Sequence, residues 1–144
     1  MGVTIECKKT GTSYDLGYGG FFSLRKKVAE LCSPEFGEHY KTLTKAPFLD
    51  IDNARTNFFK EFNKKTQEII DKKAVSIKAV DFCLQSDCEG KIRYGACKEI
   101  YKHIKDYDDD FCYGYAGRPD CMMFKDFVAL VKECYDTKSD LIWW

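Results

Sequence analysis

The chain has 144 residues, 23 basic and 23 acidic side chains and 44% apolar residues, a composition that fits one globular domain over residues 1–144 with a sizeable core. No apolar run approaches the ~20 residues that cross a bilayer. The opening MGVTIECKKTG also lacks the basic-then-apolar pattern of an export signal, so the expectation is a soluble, cytoplasmic protein with no membrane partner. Residues 1–78 carry 14 Lys and Arg against 10 Asp and Glu, whereas residues 79–144 carry 9 against 13. A dipolar chain without a concentrated basic face makes nucleic acid an unexpected partner and points to a protein, or to a cation at the acidic end.

Taken in order, VTIECKK alternates apolar and polar side chains at Val3, Ile5 and Cys7, TGT supplies a turn and SYDLGY follows, so residues 3–18 read as a β-hairpin. GYGGFF breaks the strand. With Ser23 as N-cap, Leu24, Val28, Leu31 and Cys32 recur at helical spacing; Ser33 then caps a short helix that has Pro34 at its first position and reaches Thr44. After the linker KAPFLD, a surface helix over 52–73 turns Phe58, Phe59, Phe62, Ile69 and Ile70 inward and sets Glu61 against Lys65 and Glu68 against Lys72. SIKAVDFCL forms a further helix through Ile77, Val80 and Leu84. QSDCEGKI joins it to another with Cys97, Ile100, Tyr101 and Ile104 on one face. The stretch 106–121, DYDDDFCYGYAGRPDC, is irregular, and a last helix begins at Pro119 or Asp120 and ends near Tyr135. The apolar SDLIWW would be a liability if left free, which predicts a strand added to the hairpin. The expected fold is α+β: a mostly helical single domain with a small antiparallel sheet formed by the N-terminal hairpin and a C-terminal strand.

Eight cysteines (Cys7, Cys32, Cys83, Cys88, Cys97, Cys112, Cys121, Cys134) form no C-x-x-C pair. In a chain rich enough in apolar residues to build a core, most of them read as small core residues on apolar stripes rather than as a disulfide framework or a zinc site.

Four stretches are candidates for function. QSDCEGKI, residues 85–92, resembles the middle of a calcium loop. With Gly90 at the glycine position, Asp87 and Glu89 stand at positions three and five, and Ile92 at the apolar position. Gln85 and Ala96 then fall where the first and the bidentate carboxylates belong, so Ca²⁺ or Mg²⁺ would need Asp108, Asp109 and Asp110 to complete its shell. Without an ion, the loop is a helix-to-helix connector in which Asp87 caps a turn and Gly90 takes a left-handed backbone. GYGGF, residues 17–21, could present the amides of Gly19 and Gly20 to an anion, with Arg25 as its cationic partner. It is neither a dinucleotide nor a P-loop fingerprint, and the simple alternative is a tight turn. Tyr107, Tyr113, Tyr115 and Arg118 could form a protein-binding patch on the long irregular loop, or Arg118 could neutralise the triple Asp internally. His39 and His103 lie in polar helical contexts and read as surface or boundary residues. No nucleophile and base are paired by a motif, so the chain is not expected to be an enzyme.

DLGYGGFFSLRKKVAEL, LQSDCEGKIRYGACKEI and the final apolar strand together resemble a family of small uncharacterised bacterial and prophage proteins. These carry a Gly/Phe-rich turn before a basic helix and a Ser-Asp-Cys-acid-Gly loop before a Cys-containing helix. The resemblance implies a fold unit and a phage context, and no reaction. The functional expectation is therefore an interaction protein that binds another macromolecule, with no resident cofactor; the alternative is a module for a divalent cation or a small anion.

Overall fold

The computed structural model describes residues 2–144. Among the described residues the order is β1 (Gly2–Cys7), β2 (Ser13–Gly17), α1 (Tyr18–Cys32), α2 (Pro34–Lys41), α3 (Ala54–Asp71), α4 (Ile77–Leu84), β3 (Gly90–Ile92), α5 (Tyr94–Ile104), α6 (Phe124–Thr137) and β4 (Leu141–Trp143). Two short 3₁₀ turns, Thr42–Lys45 and Ile51–Asn53, lie between α2 and α3. This is the mostly helical α+β domain that the pattern implies. Among the described residues no helix is long and apolar enough to cross a membrane.

The four strands form one antiparallel sheet in the order β2-β1-β4-β3. Period-2 alternation carries Val3, Ile5 and Cys7 of β1 into the core, joined by Leu16, Ile92, Leu141 and Trp143. Helices α1 and α6 lie against β1, and α4 against β3; α2 packs on α1, and α3 on α2. As expected, the final strand joins the hairpin, Ile5 opposite Trp143. It also gains a neighbour that alternation could not announce. The three residues Gly90–Ile92 pair with β4, so the end of the supposed connector is an edge strand of the sheet.

Several boundaries move for identifiable reasons. Helix α1 begins at Tyr18, a turn and a half before Ser23, so Gly19 and Gly20 are helical rather than a turn. A β-carbon on Gly20 would collide with the Tyr113 carbonyl, so glycine here permits the loop to lie on the helix. Ser33 caps α2 as expected, its Oγ accepting the Phe36 amide at 3.1 Å. The start of α3 is held by Asp50, which accepts from the Thr56 amide at 2.9 Å and its hydroxyl at 2.7 Å. Lys72 pairs with Glu35 of α2 rather than with Glu68. Helix α6 begins at Phe124, where Asp126 accepts the Met123 amide at 2.9 Å; residues 119–123 are spent on a return that bridges Met123 to Cys112. Ile77, expected inward, is exposed.

The cysteine expectation needs correcting at two positions. Cys112 and Cys121 are disulfide-bonded across that return, with Cα atoms 6.1 Å apart. They lie on a loop, where no apolar stripe claims them. Such a bond persists in oxidising surroundings. Cys7, Cys83, Cys97 and Cys134 are buried thiols, as read; Cys88 is exposed.

Candidate ligand-binding site

Helix α1 turns Phe21, Leu24, Arg25 and Val28 inward, the spacing of one buried face. Arg25 is thus a cation on an apolar stripe, and it is only 4% exposed. Its guanidinium lies within 4.3 Å of the Phe21 ring centroid, 5.4 Å of Trp143 and 5.8 Å of Phe82. Rings at these distances offset part of the cost of burying the charge. The hydrogen bonds do not keep pace. Nη2 donates to the Ser86 carbonyl at 3.3 Å, while Nε is buried without any partner among the described residues. No carboxylate forms an ion pair with Arg25 among them. Burial pulls its pKa below the ordinary arginine value. A guanidinium has five N–H donors, and a buried one without an anion is costly.

Arg25 lines a cleft of about 310 Å³ between α1, α2, α3 and the end of α4. Its walls are Phe22, Tyr40, Leu43, Phe59 and Phe62, with Tyr18, Asn63, Gln85 and Asp87 adding polar atoms. Phe22 stacks on Tyr40 at 5.4 Å between centroids. Cys83 also lines the cleft and donates its thiol to the Arg25 carbonyl at 3.5 Å. Burial raises its pKa strongly, so the thiol stays protonated and acts as a wall rather than as a thiolate.

The 85–92 loop is organised without an ion. The Gln85 side-chain amide clamps the Lys91 backbone from both sides: Oε1 accepts the Lys91 amide at 3.1 Å and Nε2 donates to the Lys91 carbonyl at 2.8 Å. The Ser86 carbonyl is taken by Trp143 Nε1 at 2.9 Å as well as by Arg25. Gly90 has no positive φ; a β-carbon there would strike the Trp143 indole, so the glycine serves close approach, not a left-handed turn. Asp87 and Glu89 are exposed. Asp108 accepts its neighbour's amide at 2.9 Å, and Asp109 accepts the Phe111 amide at 3.1 Å and the Tyr113 hydroxyl at 2.7 Å. Among the described residues no three His, Cys, Asp or Glu side chains gather as a metal would require. Asp87, Glu89 and Asp108–Asp110 therefore do not form the combined shell that the calcium alternative needed.

The tyrosine patch is also redistributed. Tyr113 is buried, and Tyr107 is half-buried with its ring 5.0 Å from Phe124. Tyr115, half-buried, directs its hydroxyl to the Leu16 carbonyl at 3.4 Å. Of the four, Arg118 is the exposed one, and it forms a two-point pair with Asp120, at 3.1 and 2.9 Å, rather than with the triple Asp. These aromatics hold the loop onto the sheet and α6. His39, expected at the surface or its boundary, is buried; its Nε2 lies 2.8 Å from Thr66 Oγ1 and 3.1 Å from the Phe62 carbonyl. A carbonyl only accepts, so Nε2 carries the proton. His103 stays at the surface near Glu99, at 3.8 Å.

Of the candidate metal, ligand and partner residues read from sequence, Arg25 and Asp87 reach the cleft, joined by Gln85 of the same loop. Tyr40, Phe59 and Phe62, which complete it, were read simply as parts of helices. The signal was present in α1: an arginine in phase with Phe21, Leu24 and Val28 is out of place on an apolar face. No family model matches this chain, and comparison with curated proteins and with solved structures finds no significant match.

Proposed function

We propose that the protein is a binding module for a small anionic ligand held over Arg25. The carrying observation is that Arg25, 4% exposed, has a single protein acceptor at 3.3 Å, leaves Nε buried with none, and has no carboxylate paired to it among the described residues. An anion in the cleft would use donor capacity that the chain leaves idle and would supply the missing counter-charge. This shifts the anion site from the glycine backbone to a side chain two turns inside the helix. A ligand that binds only the folded state raises the melting temperature. Melting the protein with a panel of organic and inorganic anions should therefore give at least one saturable increase that Arg25→Met removes. A panel without any increase, or an increase that survives in Arg25→Met, refutes the reading.

A protein partner is the second reading, and a different surface favours it. Phe48, Leu49 and Ile51, in the connection before α3, are 91%, 60% and 65% exposed. Three neighbouring large apolar side chains in water form a patch of the kind that partners cover. The test is a photo-crosslinker placed next to Phe48, in the native sequence and with all three residues changed to Ser. A crosslinked partner lost in the triple variant supports the reading; identical partners in both overturn it.

A further inference from the structure

Resting on the anion-binding reading, we infer that the ligand is a monocarboxylate carrying an aromatic ring, rather than phosphate or a bare small anion. The cleft offers one cation. Arg25 is its sole Arg or Lys, while Asp87 stands at the mouth. A carboxylate balances one guanidinium charge for charge and matches its planar fork, whereas a phosphate dianion brings a second charge toward Asp87 and has more strongly hydrated oxygens to satisfy. The remaining lining selects the rest of the molecule. Phe22, Tyr40, Phe59 and Phe62 face a volume of about 310 Å³, at the small end of ligand sites. Phe22 and Tyr40 are already stacked on one another, and the Phe59 and Phe62 centroids are 6.3 Å apart, so a further ring can join them edge-on or offset. A different set of rings, Phe21, Phe82 and Trp143, holds the cation when the cleft is empty, and the ligand's acid group replaces the ion pair that the chain omits.

Isothermal titration of the full chain with sodium 3-phenylpropionate, sodium acetate and inorganic phosphate at matched ionic strength tests this. The expected result is saturable binding of phenylpropionate, roughly tenfold or more tighter than acetate because the ring contributes its burial, with phosphate weaker than phenylpropionate. Arg25→Met should abolish it, Arg25→Lys should weaken it through loss of the fork, and Phe59→Ala, at a half-buried wall position, should narrow the gap to acetate. Circular dichroism confirms that each variant is folded. Phosphate binding more tightly than phenylpropionate, or acetate binding equally well, overturns the aromatic carboxylate and leaves anion binding standing. If none of the three binds at millimolar concentration, or if phenylpropionate binds Arg25→Met as well as the native chain, both the inference and the reading beneath it fall.

Discussion

Arg25 and His39 are both polar side chains on inward helix faces, yet the chain treats them in opposite ways. His39 has all that a neutral imidazole needs at one end: two oxygens within 3.1 Å of Nε2 and the Phe62 ring stacked at 4.1 Å. Arg25 has three rings and one carbonyl for five donors. A satisfied buried polar group specifies packing; an unsatisfied one stores a demand that something else can meet. This contrast separates the part of the molecule that is structural from the part that is available.

The sharpest test of the contrast is truncation. His39→Ala should cost about 2–3 kcal/mol in urea denaturation, from the lost stack and the cavity left under Phe62. Arg25→Met should stay within about 1 kcal/mol of the parent, since replacing an underpaired buried charge with an apolar side chain of similar length is often neutral or better. Equal losses would erase the distinction. Next in size is Gln85→Ala, expected to cost about 1–2 kcal/mol by leaving the Lys91 amide and carbonyl without their partner; hydrogen exchange at Lys91 should accelerate. That variant also loosens the segment bearing the Ser86 carbonyl, and so probes the one hydrogen bond Arg25 has.

Acidification gives a smaller effect with a definite sign. Burial holds the His39 pKa below its ordinary 6.5, so the unfolded chain takes up the proton first as pH drops. The stability contributed by neutral His39 is complete above about pH 6.5 and is lost as pH falls through 6.5 towards the lower folded-state value. Melting curves between pH 7.5 and 5 should show this slope in the native chain and in Arg25→Met, and a shallower one in His39→Gln. Smallest of all is the response to calcium. With Gln85 in the organising role, millimolar Ca²⁺ should leave the melting temperature unchanged, and a saturable increase would restore the loop as a metal site.

The sequence revealed the elements better than their ends. Apolar periodicity located every α-helix and the final strand, because burial decides those positions and leaves its period in the residue order. It could not show β3. Three residues have too little room for alternation, and Gly90 resembles turn chemistry although it yields space to Trp143. It also misread the tyrosines. Tyr113 and Arg118 belong to residue types common at interfaces, but long-range packing makes the first core, and the second pairs with its near neighbour Asp120 rather than with the triple Asp. The Cys112–Cys121 bond was hidden for the same reason, since a spacing of nine specifies no geometry until the loop returns on itself. The cleft was half visible. Arg25 stood out as a cation near an anion-compatible turn, while its aromatic walls come from helices far apart in the chain.

The sheet order has a kinetic consequence. Strand β4 lies between β1 and β3, and Ile5 meets Trp143 across almost the full span of the described residues. Helices form from neighbours, but this pairing waits for a long closure whose entropy is lost before any contact repays it. The domain should therefore refold more slowly than a helical bundle of its size, despite being mostly helical. Trp143, boxed with Phe21, Phe82 and the Arg25 guanidinium, reports that event by its fluorescence. The side chain that closes the sheet also packs against the cation, so the surroundings of the buried Arg25 are assembled in the same step as the fold's longest-range contact.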